Sequence, residues 1–316
     1  MKLYRWRADP NQPAAPVLRE ILQELLAAIR ANEDGVRRNR GWKCLHDFRV
    51  AVRRTRSALG QIRRVLPKAS RHHFRQEFSW LARSASRARD LDVQRLAVVA
   101  YIAGQTETGA HGLQLFEAHL TRERARAQTE LLDVLRSPRC ALLMTHWKEF
   151  LRDLPAGGGA DARRPIVEVA GLSMSRAHRR VLAVGAKIGP YAPAAGLHRL
   201  RIACKKLRYL MEFFGGLYSG DEVGEGIRTL EDLQDSLGDF NDYAVQRSLL
   251  QGYLQATAAA SSGAAGGETA LRKLEQHLLA AQEKERLSFG QFFDDFSAAD
   301  RQASFWRLFS QSPEST

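Results

Sequence analysis

The sequence predicts an all-α protein built from two antiparallel helical bundles, copies of one unit, related by a pseudo-twofold axis. Three observations carry that expectation. Apolar residues recur at three- and four-residue spacing through most of the 316 positions, and alternating strand patterns are absent. A motif then returns 152 residues downstream: Leu45-His46-x-x-Arg49-Val-Ala51-x-Arg53-Arg54-x-Arg56 reappears as Leu197-His198-x-x-Arg201-Ile-Ala203-x-Lys205-Lys206-x-Arg208. The same offset matches Leu81, Ser84, Asp90, Val93, Gln94 and Arg95 to Leu233, Ser236, Asp242, Val245, Gln246 and Arg247, as expected of a duplication. Finally, the charge is local. Residues 36–95 hold 17 Lys and Arg against 4 Asp and Glu, and the rest of the chain balances at 31 of each.

In chain order, helical spacing occupies 14–32, 42–66, 70–103, 110–135 and 138–153 in the first half. Each residue of a helix turns by about 100°, so 42–66 resolves into two stripes. Leu45, Phe48, Val52, Leu59, Ile62 and Leu66 form an apolar stripe that faces a core. His46, Arg49, Arg53, Arg56, Gly60 and Arg63 lie beside it. Trp147 in 138–153 reads as a packing residue, as does Trp306 in the second half. The run Pro155 to Pro165, with Gly157-Gly158-Gly159, breaks any helix and separates the copies.

The second half offers helices over 165–188, 195–217, 222–256, 268–286 and 298–311. Leu197, Leu200, Cys204, Leu207, Met211 and Phe214 repeat the apolar stripe, and His198, Arg201, Lys205 and Arg208 repeat the cationic one. Thr257 to Gly267, rich in Ala, Ser and Gly, reads as a flexible connection. The domain organisation is therefore an extension over 1–14, a first repeat over 15–154, a linker over 155–165, a second repeat over 166–312 and a tail over 313–316.

The first residues lack the apolar stretch of a signal peptide, and no run approaches membrane-spanning length. A cytoplasmic protein with no membrane partner is expected. Cys44, Cys140 and Cys204 are odd in number and lack C-x-x-C spacing, which fits free thiols in a reducing compartment. Cys204 sits on the apolar stripe and is expected to pack.

A charged helix face is ordinarily a solvated surface. That reading fails here on two counts: the same register holds a histidine twice, and from Lys43 to Lys68 the only acid is Asp47. Solvated faces mix both signs. Such density repels itself unless an anion neutralises it, and the planar fork of arginine suits phosphate oxygens. The partner should be a polyanion.

The signature His-x-x-Arg-hydrophobic-Ala-x-basic-basic-x-Arg, present at His46–Arg56 and again at His198–Arg208, resembles the two motifs of the CHAD family, all-helical proteins named for their histidines. The continuation Tyr209-Leu-Met-Glu212-Phe213-Phe214 strengthens the likeness to the second motif. The resemblance runs from about residue 15 to 312. It implies two four-helix units around a basic furrow, non-enzymatic binding of inorganic polyphosphate, and association with polyphosphate granules. Many members also follow a CYTH-type triphosphate tunnel domain, which does not fit before Pro16 and would belong to a longer parent protein. The residues expected to bind polyphosphate are Lys43, His46, Arg49, Arg53, Arg54, Arg56 and Arg63 from the first copy, and His198, Arg201, Lys205, Lys206 and Arg208 from the second. No cofactor and no metal is expected.

The second copy departs from the first. Glu231, Asp232, Asp235, Asp239 and Asp242 share one helical face, whereas Arg83 and Arg87 match Asp235 and Asp239. These acids are expected to pair with the basic stripe of the opposite copy; the sharper alternative is a Mg²⁺ site beside bound phosphate. Asp90 and Asp242 are expected to hold His or Arg side chains in place. The first copy should carry most of the binding. No phosphate-binding G-x-x-x-x-G-K-[ST] loop and no zinc-type His/Cys spacing exists, and the adjacent His72-His73 diverge on a helix. A metal-dependent His/Asp phosphate enzyme is the weakest reading. Sequence-nonspecific nucleic-acid binding is the stronger rival, opposed by sparse aromatics in the basic stretch and the lack of a recognised DNA or RNA motif.

Overall fold

A computed structural model describes residues 9–104, 110–154, 158–189, 192–218, 222–260 and 265–310. Among them lie ten α-helices: α1 (Ala14–Arg37), α2 (Trp42–Gln61), α3 (Lys68–Ala103), α4 (Ala110–Arg136), α5 (Pro138–Arg152), α6 (Ile166–Gly185), α7 (Ala194–Phe214), α8 (Glu222–Ala260), α9 (Ala265–Ser297) and α10 (Ala299–Ser310). The all-helical architecture is the one the periodicity predicts. Two boundaries differ for physical reasons. The helix expected to reach residue 66 stops at Gln61, because Pro67 disfavours helical backbone just before it and the chain turns over 62–66. The helix expected over 268–286 continues to Ser297, since Phe289, Phe293 and Phe296 extend its buried face. The expected connection Thr257–Gly267 shrinks accordingly: α8 runs to Ala260 and α9 starts at Ala265, and 261–264 lie outside the described residues.

Consecutive helices pack on one another within α1–α5 and within α6–α10, and in each set the last helix returns to the first. Between the sets, α4 meets α9, α2 meets α7 and α1 meets α6. The α4–α9 approach is backbone-close, as a Cβ on Gly112 would collide with the Gly267 carbonyl. Beside it, rings of Phe116 and His119 of α4 pack on Tyr253 of α8 at 5.1 and 5.0 Å.

The starts of α1 and α6 cap each other. Both follow a proline, Pro13 or Pro165, and neither has a side-chain cap. Instead Ala14 and Ala15 N–H donate to the carbonyls of Arg164 and Ala162, at 2.9 Å each. Ile166 and Val167 N–H donate to those of Gln12 and Pro10, at 2.8 and 3.2 Å. Every bond has its counterpart at the 152-residue offset, so orphan helix-start donors are satisfied by exchange between the halves.

The apolar stripes are core. Leu45, Phe48, Val52, Leu59, Ile62 and Leu66 are buried, as are Leu197, Leu200, Cys204, Leu207, Met211 and Phe214. Burial pushes the Cys204 thiol up to about 12, in keeping with a packing residue. Trp147 is fully enclosed beside Phe74 and Phe78, whereas Trp306 is 40% exposed and only edges the ring of His178. The expected packing role thus holds for Trp147 and is much reduced for Trp306.

Candidate polyanion site

With their apolar stripes turned into the core, α2 and α7 present their cationic stripes towards each other. Gln61 Nε2 donates to the Lys206 carbonyl at 3.1 Å where the helices meet. The guanidinium of Arg53 lies 5.8 Å from the centre of the Tyr209 ring, and that of Arg208 lies 6.0 Å away. A cation over a ring face is attracted by the ring quadrupole, so Tyr209, 3% exposed, steadies cations from both helices.

Between α2, α3 and α7 lies a cleft of about 290 Å³. Among the described residues, six cations line it, Arg53, Arg56, Arg63, Arg75, Lys205 and Lys206, together with hydroxyl and amide groups and no carboxylate. The repulsion is legible in the side chains. Lys205 is pushed down to about 7 by burial and then by the charges of Arg201, Arg53, Arg49 and Arg208. Lys206 is lowered by burial and by Arg75, Arg63, Arg180 and Arg56. Arg56 is lowered by burial, Arg53, Arg75 and Arg83. The buried Nε–H groups of Arg53 and Arg201 find no acceptor among the described residues. Clustered cations with spare donors suit a multiply charged anion.

Not every expected residue faces this cleft. Lys43 is exposed near the start of α2. Arg49 is held by Asp90 at 2.6 Å and by the Ser86 hydroxyl at 3.2 Å, as expected for Asp90. Burial raises the Asp90 carboxyl; Arg49 opposes that shift and Asp242 reinforces it. Arg201 likewise feels Asp242 as its main opposing charge. Arg54 departs from expectation: it is 6% exposed and ion-paired with Glu212 of α7, so it joins the halves and offers nothing to solvent. Arg208 is drawn to Glu231 and Glu212, at 3.3 and 3.5 Å. His46 is half-buried against Trp42 and lowered by burial, by Arg89 and, more weakly, by Arg53 and Arg49, with Asp47 opposing. His198 is exposed and bonded through Nδ1 to Asn241 Oδ1 at 2.9 Å.

The acids of α8 behave otherwise than expected. Glu231 pairs with Arg208 of its own half, and Asp232, Asp235 and Asp239 make no ion pair with the opposite stripe among the described residues. Pairing across the halves falls to Glu212. Among the described residues no three His, Cys, Asp or Glu groups converge in a manner that would hold a metal ion.

Sequence reasoning missed Arg75, Arg83, Arg89 and Tyr209. The three arginines sit on α3 at positions matched in the second half by Ile227, Asp235 and Asn241. Duplication therefore discards them as a criterion, while helical phase retains Arg75 and Arg83: Arg71, Arg75, Ser79 and Arg83 recur every four residues along α3, and Arg75 and Ser79 line the cleft.

The fold and site define an all-α protein with a cation-lined cleft at a helix junction. The CHAD domain family model matches residues 20–251, and the chain belongs to that family. The match ends inside α8, short of the 15–312 span suggested by the motifs. The chain is also similar in structure to the crystal structure of the CHAD domain from the plant Ricinus communis, with TM-score 0.71 and 26% identity, covering 99% of this chain and 97% of that one. A second likeness, to PptA from Streptomyces chartreusis, has TM-score 0.71 and 17% identity over 89% of this chain and 99% of that one, a likeness of fold. Comparison with curated proteins gives no match. No helix among the described residues is long and apolar enough to cross a membrane.

Proposed function

We propose that this chain binds inorganic polyphosphate without catalysing a reaction, along a basic furrow between the two halves, and associates through it with polyphosphate granules. The observation that carries the reading is the cleft, lined among the described residues by six cations and no carboxylate. A sequence-free polymer of phosphates needs a track of cations and no base-reading groups, and family membership agrees. We read the halves as related by a pseudo-twofold axis through the α2–α7 crossing, which the reciprocal capping of α1 and α6 and the α1–α6, α2–α7 and α4–α9 pairings support. The contacting residues are then Arg53, Arg56, Arg63, Arg75, Lys205 and Lys206, extended by Arg49, Arg201, His46 and Arg89. Arg54 is excluded by its burial.

The test is a competition titration of labelled long polyphosphate against duplex DNA at about 0.15 M salt, where non-specific duplex binding is weak. Polyphosphate should resist displacement by a tenfold excess of DNA phosphates. Displacement at equal phosphate would favour general nucleic-acid binding instead.

A further inference from the structure

We infer that the chain carries a second ligand site, between α3, α4 and α8, that takes an organic phosphate with an aromatic body, of the nucleoside phosphate type. The cavity there holds about 580 Å³, twice the volume of the cationic cleft, and its size suits a small organic molecule. From Arg83 to Gln94 it follows α3 for about 16 Å, since a helix rises about 1.5 Å per residue.

Its lining is divided in kind. Arg56 and Arg83 supply positive charge, and neither is ion-paired to a carboxylate among the described residues. The other charged groups on the wall are already taken: Asp90 by Arg49, and Arg87 with Glu123 by each other. Leu91, Leu120, Val245 and Leu249 supply an apolar wall that inorganic phosphate cannot use. Gln94 supplies the sharpest clue. Its side chain lines the cavity at 3% exposure, and it makes no hydrogen bond among the described residues. An amide that opens onto the cavity with no protein partner offers donors and an acceptor side by side, the complement of an aminopurine edge. The matching face of the second half has Asp235 and Asp239 in place of Arg83 and Arg87, so this anion site exists once. The inference touches the polyphosphate reading through Arg56, which lines both cavities, through Arg83, which backs the ladder, and through Asp90, which holds Arg49.

Isothermal titration of the full chain with ATP and with tripolyphosphate, at one ionic strength and without divalent cations, separates body from phosphates. ATP should bind at least tenfold more tightly. Val245→Glu, at a position 38% exposed and therefore tolerant, should reduce ATP to the level of tripolyphosphate and leave long polyphosphate within twofold of wild type. Gln94→Leu should weaken ATP about tenfold without lowering the melting temperature. Equal affinity of wild type for ATP and tripolyphosphate would overturn the inference, as would equal losses of both ligands in Val245→Glu. A chain that prefers ATP yet fails to bind long polyphosphate would refute the polyphosphate reading and leave this one standing.

Discussion

The two halves share a ladder and differ in what surrounds it. In the first half the ladder of α2 is backed by Arg75, Arg83 and Arg89 on α3; in the second, α8 offers Ile227, Asp235 and Asn241 at those positions. Gly60 of the first half corresponds to Glu212 of the second, which buries a carboxylate against Arg54 and attracts Arg208. His46 faces the guanidinium of Arg89, while His198 bonds to neutral Asn241. One repeat thus concentrates most of the uncompensated charge, and the other supplies the buried carboxylate of Glu212 and the tyrosine that hold the junction together. Duplication of a motif does not duplicate its role; neighbours on the next helix decide it.

The sharpest way to break this division of labour is Glu212→Leu. It strands the buried Arg54 charge, and removing one partner of a buried pair costs about 3–5 kcal/mol. Urea unfolding should show a loss of that size, and an unchanged midpoint would contradict the structural role assigned to the pair. Next in size is a contrast between halves. Arg56→Ala with Arg75→Ala should weaken long polyphosphate roughly 100-fold at pH 8, as each charge-assisted contact is worth about 1.5–3 kcal/mol. Lys205→Ala with Lys206→Ala should cost only about tenfold there, because Lys205, pushed down to about 7, is mostly neutral at that pH. Equal losses would erase the asymmetry.

Lys205 also sets a pH dependence. Its folded value lies below the ordinary lysine value of 10.5, so its contribution to stability is complete above about 10.5 and is lost as pH falls through about 7. Binding runs the other way. Polyphosphate favours the charged amine, so affinity should strengthen about tenfold from pH 8 to pH 6. Lys205→Met should remove most of that gain, measured as dissociation constants at fixed ionic strength. His46→Gln should preserve most of it, as His46 is already shifted towards neutrality.

A smaller effect separates the packing of the two halves. His178, fully buried among Phe296, Phe305 and Phe309 with both ring nitrogens unpartnered among the described residues, corresponds to Leu26 of the first half. Burial pushes it down to about 4, so its contribution to stability is lost as pH falls from about 6.5 through 4. His178→Leu should stabilise by about 1 kcal/mol at pH 7 and by more at pH 5, read from melting curves across pH. A destabilised variant would mean that the ring is held by something other than packing.

The helices and the buried stripes were legible in the sequence because period and burial are the same physics, one residue type per face. Most of the ladder was legible for the same reason. Arg54 was not: it belongs to the repeated motif, and only the arrival of Glu212 from the other half reveals that it is enclosed. Arg75 and Arg83 were hidden in the opposite way, since a search for what the copies share cannot find what only one copy has. The loss of α9's final three turns reflects a different limit, because the aromatic spacing past residue 286 becomes persuasive only once a core exists for it to face.

The central claim is that the cation-lined cleft holds a polymer of phosphates. The most direct measurement is the dissociation constant of long polyphosphate and of tripolyphosphate across a salt series. Each neutralised phosphate releases counterions, so the long polymer should show a log–log salt slope of several units and tripolyphosphate a much shallower one with far weaker binding. A salt-independent affinity, or equal affinity for the two lengths, would contradict the account.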